Sequence, residues 1–269
     1  QMNDRLVQPV DIDGDGYTDL LDYRNNILYR NRGAGDWVGD PEPIDGQNLP
    51  NFENANANLR FFDWNNDKYI DVIFAGGQLG SWVHMNEEAP DGSRRFAADP
   101  QLMNGFGDLS FAGSGLQMAD MNGDGLQDAV RKVGDYVTYR TNLGYGDWSD
   151  DIDMLDPPEG FGGLVQLSDL NGDGLADIVS FAGNEVRYAL NLNSRGYGPV
   201  QLIEGADIPE YDPNVVKIRM ADMNGNGTTD LVWITNGGSV SYLELFDGRP
   251  NLMTITENGV GRVLMMKYT

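Results

Sequence analysis

The feature that most restricts what this chain can fold into is a nine-residue pattern, Asp-x-Asp/Asn-Gly-Asp/Asn-Gly-x-x-Asp, present in five copies, one of them lacking both glycines. The copies run from Asp11 to Asp19, Asp63 to Asp71, Asp120 to Asp128, Asp169 to Asp177 and Asp222 to Asp230, and their first aspartates lie 52, 57, 49 and 53 residues apart. A period near 50 suits one four-stranded blade of a β-propeller, whereas helical-pair and leucine-rich repeats are usually shorter. The expected fold is therefore all-β: a five-bladed β-propeller over residues 1–250, with residues 251–269 forming a closing strand or the start of a following domain.

The flanks of the loops support strands. The residues four and two positions before each loop are mostly apolar: Val7 and Pro9, Leu59 and Phe61, Leu116 and Met118, Val165 and Leu167, Ile218 and Met220. A long polar residue separates each pair (Gln8, Arg60, Gln117, Gln166, Arg219), and this alternation marks a strand with one buried face. The polar row is expected to line a shared, wetter place such as a central channel. Pro9 then requires an edge strand, because it lacks the N–H that a central strand would donate. After each loop comes an apolar pair: Leu20-Leu21, Val72-Ile73, Ala129-Val130, Ile178-Val179 or Leu231-Val232. Consecutive apolar residues read as a strand covered on both faces. Each loop is thus expected to be the turn of a hairpin. The Asn31–Trp37 and Asn142–Trp148 segments match almost position for position, and Asn191–Gly198 is a looser version; these read as turns between third and outer strands.

The loops have the chemistry of calcium sites. Calcium is a hard cation that takes six to eight oxygens from carboxylates, amides, backbone carbonyls and water. Side chains at positions 1, 3, 5 and 9 and the carbonyl of position 7 can supply such a shell. The candidate ligands are Asp11, Asp13, Asp15, Tyr17 and Asp19; Asp63, Asn65, Asp67, Tyr69 and Asp71; Asp120, Asn122, Asp124, Leu126 and Asp128; Asp169, Asn171, Asp173, Leu175 and Asp177; and Asp222, Asn224, Asn226, Thr228 and Asp230. Glycines at positions 4 and 6 allow the left-handed backbone that wraps an ion. An ion-free Asp/Asn/Gly turn is the ordinary alternative for one copy, but apposed carboxylates in five copies repel one another without a counterion. Up to five Ca2+ ions are expected. Loop two, with Asn66 and Lys68 in place of glycines, and loop five, with only Asp222 and Asp230 charged, are expected to be the weakest. A structural role for the ion is favoured over a signalling or catalytic one, because an ion that prefers the folded loop stabilises folding.

Composition narrows the function. The formal charge of −24 argues against binding a nucleic-acid backbone or an anionic membrane, and five bound Ca2+ would bring it to about −14. The loops hold 15 of the 42 acidic residues, so the aspartates are explained as ligands better than as a general acid and base. There is no cysteine, which excludes disulfides and thiol chemistry. The single histidine, His84, stands in a strand-like Ser81–Met85 run and reads as a strand residue. No Gly-x-Ser-x-Gly, phosphate loop or histidine metal motif occurs, so no enzyme is expected. No stretch approaches the ~18 apolar residues of a membrane span. Opening at Gln1, the sequence reads as a piece of a longer chain.

The loops and their flanks, over about residues 5–245, resemble the FG-GAP/VCBS repeats of integrin α-subunit propellers and bacterial surface proteins. Phe111-Ala112-Gly113-Ser114-Gly115 and Phe161-Gly162-Gly163 stand where that repeat carries its Phe-Gly signature. A narrower resemblance lies in Asn142-Leu143-Gly144-Tyr145-Gly146. Asp247–Met253, Glu257–Gly261 and Tyr268 extend it, and together these segments are similar to insecticidal toxin complex B components and the Salmonella virulence plasmid B family. That resemblance implies a secreted docking platform whose propeller binds the pore-forming A component, with no insertion into a membrane by this domain. The alternative is a carbohydrate- or host-receptor-binding adhesin propeller. Its candidate contacts are Trp37, Tyr145, Trp148 and Tyr197, for which packing between blades is the more ordinary role.

Overall fold

The computed structural model describes residues 7–22, 25, 27–37, 39, 42–43, 58–76, 80–90, 92, 94–107, 109–112, 115–156, 158–205, 208–248, 250, 252–253 and 255–267. Gly113, Ser114, Tyr268 and, within the Asp247–Met253 segment, Arg249 and Asn251 lie outside the described residues, as does the side chain of Gln8.

Among the described residues every element is a β-strand, and the blades of the five-bladed β-propeller are five successive antiparallel sheets, with three further two-stranded pairs beside them. The chain divides into two compact units. Blades one to three belong to the first, apart from Asp120–Gly123; that segment belongs to the second, with blades four and five.

In the first unit, blade one runs Val7–Val10, Asp19–Asp22, Ile27–Tyr29 and Glu42–Pro43. Blade two is built from Leu59–Phe62, Asp71–Ala75, Ser81–His84 and Gln101–Leu102, with an extra hairpin, Asn86–Glu88 and Arg94–Phe96, inserted before its outer strand. Blade three is Leu116–Ala119, Asp128–Val133, Tyr136–Arg140 and Ile152–Asp153. In the second unit, blade four is Leu164–Ser168, Asp177–Ala182, Glu185–Ala189 and Gln201–Glu204. Blade five shows three strands among the described residues, Val216–Ala221, Asp230–Thr235 and Val240–Leu243. Ile255–Glu257 and Val263–Met265 pair with each other as a separate, exposed hairpin.

Each nine-residue loop is the turn between the first two strands of its blade, and its register never changes. The residue before the loop faces the ninth aspartate: Val10 with Asp19, Phe62 with Asp71, Ala119 with Asp128, Ser168 with Asp177, Ala221 with Asp230. A strand pair reverses all its side chains if its register slips by one residue, so a fixed register keeps every ninth aspartate on the same face. Pro9 sits in an edge strand that pairs only with Asp19–Asp22, where its missing N–H costs nothing.

The strand after each loop is the most buried of its blade, as its paired apolar residues predict. All of Asp71–Ala75 is buried, and so are the first five residues of Asp177–Ala182. In the first unit Val72 and Phe74 pack with Val10, Leu21 and Leu28, while Ile73 and Ala75 pack with Trp64, Phe106, Phe111 and Trp148. In the second, Val179 and Phe181 pack with Leu170, Ile218, Leu231 and Trp233. Burying a side chain of this size stabilises by roughly 1.5–3 kcal/mol. Of the Phe-Gly positions, Phe111 joins the core of the first unit and Phe161 is buried.

Candidate metal loops

The five loops share one backbone. Positions 4 and 6 are left-handed in all of them, including loop two, where Asn66 has φ +59° and Lys68 φ +74° in place of glycine. The position 1 carboxylate gathers the inward N–H groups. Asp11 accepts from Gly14 and Gly16 at 2.8 and 2.9 Å, Asp169 from Gly172 and Gly174 at 2.7 and 2.8 Å, and Asp222 from Gly225 and Gly227 at 2.7 and 2.8 Å. In loop two Asp63 accepts from Asp67 and Lys68 at 3.1 and 2.8 Å. In loop three Asp120 accepts from Gly123 at 2.7 Å. The Gly227 N–H is the main reason the exposed Asp222 carboxyl is held below the usual carboxylate range, with Gly225 and Asn226 adding to it.

Position 5 repeats the same move one turn on. Asp15, Asp67, Asp124, Asp173 and Asn226 accept the position 7 N–H of Tyr17, Tyr69, Leu126, Leu175 and Thr228 at 2.7–2.9 Å.

The ninth aspartates are all at most 1% exposed. In loops one, two, four and five their Oδ2 accepts the position 2 N–H, from Ile12, Trp64, Leu170 and Met223, at 2.8–3.2 Å. Burial pushes the Asp71 and Asp177 carboxyls up to about 7, against N–H bonds that lower them, and the neighbouring loop carboxylates add to the rise. Asp19 is raised for the same reason, with Asp13 contributing.

The donor set fits calcium. Each carboxylate oxygen keeps lone pairs beyond those its N–H partners use. Asp11, Asp13 and Asp15 bring one carboxylate oxygen each within 4.8 Å of one another. Among the described residues, Asp13 Oδ1 and Asp230 Oδ1 are buried with no hydrogen-bond partner, which is costly unless something else binds them. A divalent cation would satisfy these oxygens and offset the repulsion.

A second set of residues, not singled out from the sequence, supports the loops. An asparagine follows the third strand of each of the first four blades: Asn31, Asn86, Asn142 and Asn191. Its N–H donates to Oδ1 of the ninth aspartate at 2.7–2.8 Å. From Asn86, Asn142 and Asn191 the side-chain amide reaches the position 2 carbonyl of the preceding loop: Ile12 at 2.8 Å, Trp64 at 3.2 Å and Met121 at 2.9 Å. The Oδ1 of Asn31 and Asn142 accepts the N–H two residues on, and that of Asn191 the N–H three residues on, opening the outer turn. One residue type thus joins loop, neighbouring loop and turn. The signal available in the sequence was an asparagine 12 to 15 residues after the ninth aspartate of each of the first four loops.

Further bonds chain loop to loop. Ala176 N–H donates to the Asp120 carbonyl at 2.7 Å, while Thr229 donates from its N–H to Leu170 O at 3.1 Å and from its hydroxyl to Asp169 O at 2.6 Å. The candidate ligands therefore sit in a connected framework and not in free turns.

The turn aromatics divide. Trp148 and Tyr197 are buried, Trp148 packing on Trp64 and Phe106 at centroid distances of 5.2 and 4.8 Å. Trp37 is 40% exposed and Tyr145 93% exposed. Tyr145 projects from a turn held on the outer edge of blade two, since Gln101 donates to its carbonyl, and Leu102 and Leu143 nearby are exposed as well. His84 is 1% exposed, bonds the Ala97 carbonyl through Nδ1 at 2.7 Å and meets Trp82 edge-on. Burial lowers its pKa. It is a core residue. Among the described residues no helix is long and apolar enough to cross a membrane.

Residues 169–233 match the FG-GAP-like repeat family, a span that contains loops four and five. No curated protein matches the chain in sequence. Solved structures with a similar fold include the following three. A lectin from Agrocybe aegerita that recognises non-reducing terminal N-acetylglucosamine is 18% identical, with a TM-score of 0.59 over 89% of this chain and 65% of that one. The Tc holotoxin pore of Photorhabdus luminescens is 20% identical, TM-score 0.51, over 95% of this chain and 14% of that one. A TcdB2-TccC3 structure without its hypervariable C-terminal region is 20% identical, TM-score 0.52, over 97% and 15%. The chain thus spans just under two thirds of the lectin and about one seventh of the toxin-complex chains. The likeness at these identities is one of fold. FG-GAP-like repeat domains are typically binding modules without catalytic activity.

Proposed function

We propose that this chain is a non-catalytic, calcium-stabilised docking propeller of a secreted bacterial toxin complex, the part by which a B-component-like protein binds a pore-forming A-component-like partner. The observation that carries the reading is the exposed apolar turn at Tyr145, with Leu143 and Leu102, mounted on a hydrogen-bonded loop framework. Exposed apolar clusters with polar surroundings mark protein interaction sites, and tyrosine supplies large contact area at low entropic cost. The calcium loops would serve this by holding blades and turns rigid, so that little ordering remains to be done on binding. Support for the toxin-complex setting comes from the turn and C-terminal segments that resemble B components, and from the similar fold in the Tc holotoxin and TcdB2-TccC3 structures.

The test is biolayer interferometry of the calcium-loaded propeller against a purified A component. Tyr145→Ala should weaken binding at least tenfold, as expected for an exposed aromatic anchor. No binding to any A component, together with hits on a glycan array, would replace this reading by the adhesin one. That second reading rests on the exposure of Trp37 and Tyr145, which sugars could stack on.

A further inference from the structure

Loop five differs from the others in what approaches it from the third strand of its blade. In blade four Ile178 faces Ala189, and Asn191, two residues on, donates its N–H to Asp177 Oδ1. In blade five Leu231 faces Leu243, so the same place falls to Leu245. Among the described residues no N–H reaches Asp230 Oδ1, which is buried without a hydrogen-bond partner, while Oδ2 accepts the Met223 N–H at 2.8 Å. One residue earlier, Glu244 Oε1 accepts from Asn224 Nδ2 at 2.7 Å and Asn226 Nδ2 at 2.9 Å, the two loop positions that carry no charge. The Phe246 carbonyl accepts from Asn226 Nδ2 and Thr228 Oγ1, each at 3.0 Å.

We propose that Glu244 is a calcium ligand, supplying from outside the nine-residue motif the third carboxylate that loop five lacks. The inference rests on the calcium reading of the loops. Asp222, Asp230 and Glu244 would give this loop three carboxylates, the number that loops two, three and four carry within the motif. The Asn224 and Asn226 amides and the Phe246 carbonyl bring the available oxygens into the range calcium requires. The buried Asp230 Oδ1 gains the partner it otherwise lacks.

The same register position explains loop one. There Tyr29 faces Leu20, and the next residue is Arg30, whose guanidinium pairs with Asp13. Loop one is the only copy with four aspartates, and loop five the only one with two. A cation stands where the loop has one carboxylate too many and an anion where it has one too few, while Met85, Thr141 and Leu190 occupy the position in blades two, three and four. Counting that residue with its loop gives three net negative charges in loops one, three, four and five. Loop two reaches the same carboxylate count but carries the exposed Lys68. In loops one and five the position thus brings the net charge to that of loops three and four, a common charge for one divalent ion.

The experiment counts calcium ions by native mass spectrometry and measures site affinities by calorimetry on the full chain. The variants are Glu244→Gln, the double variant Asn224→Asp with Glu244→Gln, and Asp173→Asn in loop four. Glu244→Gln should remove one ion at limiting calcium, with at least a tenfold loss in affinity at one site, and the double variant should regain it. Because Glu244 is exposed, its isosteric change should leave the circular dichroism spectrum unaltered. Should the single variant not fold, failure of the double variant to restore both fold and ion refutes the inference. Unchanged ion count and affinities in Glu244→Gln, while Asp173→Asn loses an ion, would overturn the role of Glu244 and leave the calcium reading intact. No ion on the unaltered chain would overturn both.

Discussion

Replacing Asn191 by alanine isolates the framework that holds the loops. Asn191 is 1% exposed, and its amide donates to Met121 O at 2.9 Å and Ala176 O at 3.2 Å. Alanine keeps the backbone N–H that serves Asp177 and removes both bonds donated by the amide, along with the Oδ1 that accepts the Ser194 N–H. A buried hydrogen bond is worth about 1 kcal/mol net, and a carbonyl deprived of a buried donor costs a further ~1–3 kcal/mol. Asn191→Ala should therefore lose about 2–4 kcal/mol. Asn31 provides the control: its side chain is half-buried and makes one such bond, to Thr18 O at 3.1 Å, so Asn31→Ala should lose about 1 kcal/mol or less. Urea denaturation at fixed saturating calcium measures both, with the slope checked for constancy. Equal losses below about 0.5 kcal/mol in the two variants would refute the reasoning, since the buried inter-blade bonds would then carry no more than an exposed turn contact.

Three further outcomes follow from the same geometry. Lys68 holds φ +74° in loop two, a conformation that costs an L-residue about 1–2 kcal/mol; Lys68→Gly should raise stability by about 1 kcal/mol after the entropy of glycine is subtracted, whereas Asn66→Gly should change little, and denaturant midpoints distinguish them. His84 has its pKa lowered, first by burial. A depressed folded pKa means the unfolded chain takes up the proton first, so its contribution is fully present above about 6.5 and declines as pH falls below that value. Melting temperatures from pH 7.5 to 5.5 should fall more steeply for the unaltered chain than for His84→Gln, and parallel curves would contradict the buried, neutral histidine.

Much of the architecture was legible because it depends on repeated local chemistry. The loop period, the alternation before each loop and the apolar pair after it are statements about turn residues and burial that each blade makes for itself. Pro9 could be placed on an edge for the same reason. The strand-end asparagines were harder to see. Asn31, Asn142 and Asn191 lie in segments already explained as turns, and Asn86 opens an inserted hairpin that hides the correspondence. Their partners are fixed by pairing register and by the next blade, neither of which a linear pattern displays. Glu244 and Arg30 share this property: only the register sets them at the same place relative to loops of unequal charge. The aromatics make the point within one motif. Trp37 and Trp148 occupy the same turn position, yet Trp148 is buried because Trp64 and Phe106 lie beside it.

The central claim is that the five loops are calcium sites which hold the propeller rigid. Native mass spectrometry and thermal melting of one preparation, before and after chelation, test it most directly. Bound calcium of up to five ions should be lost on chelation, with a marked drop in melting temperature that added calcium reverses and magnesium does not, because the loops offer more oxygens than magnesium's octahedral shell takes. An unchanged mass and an unchanged melting temperature would contradict the account.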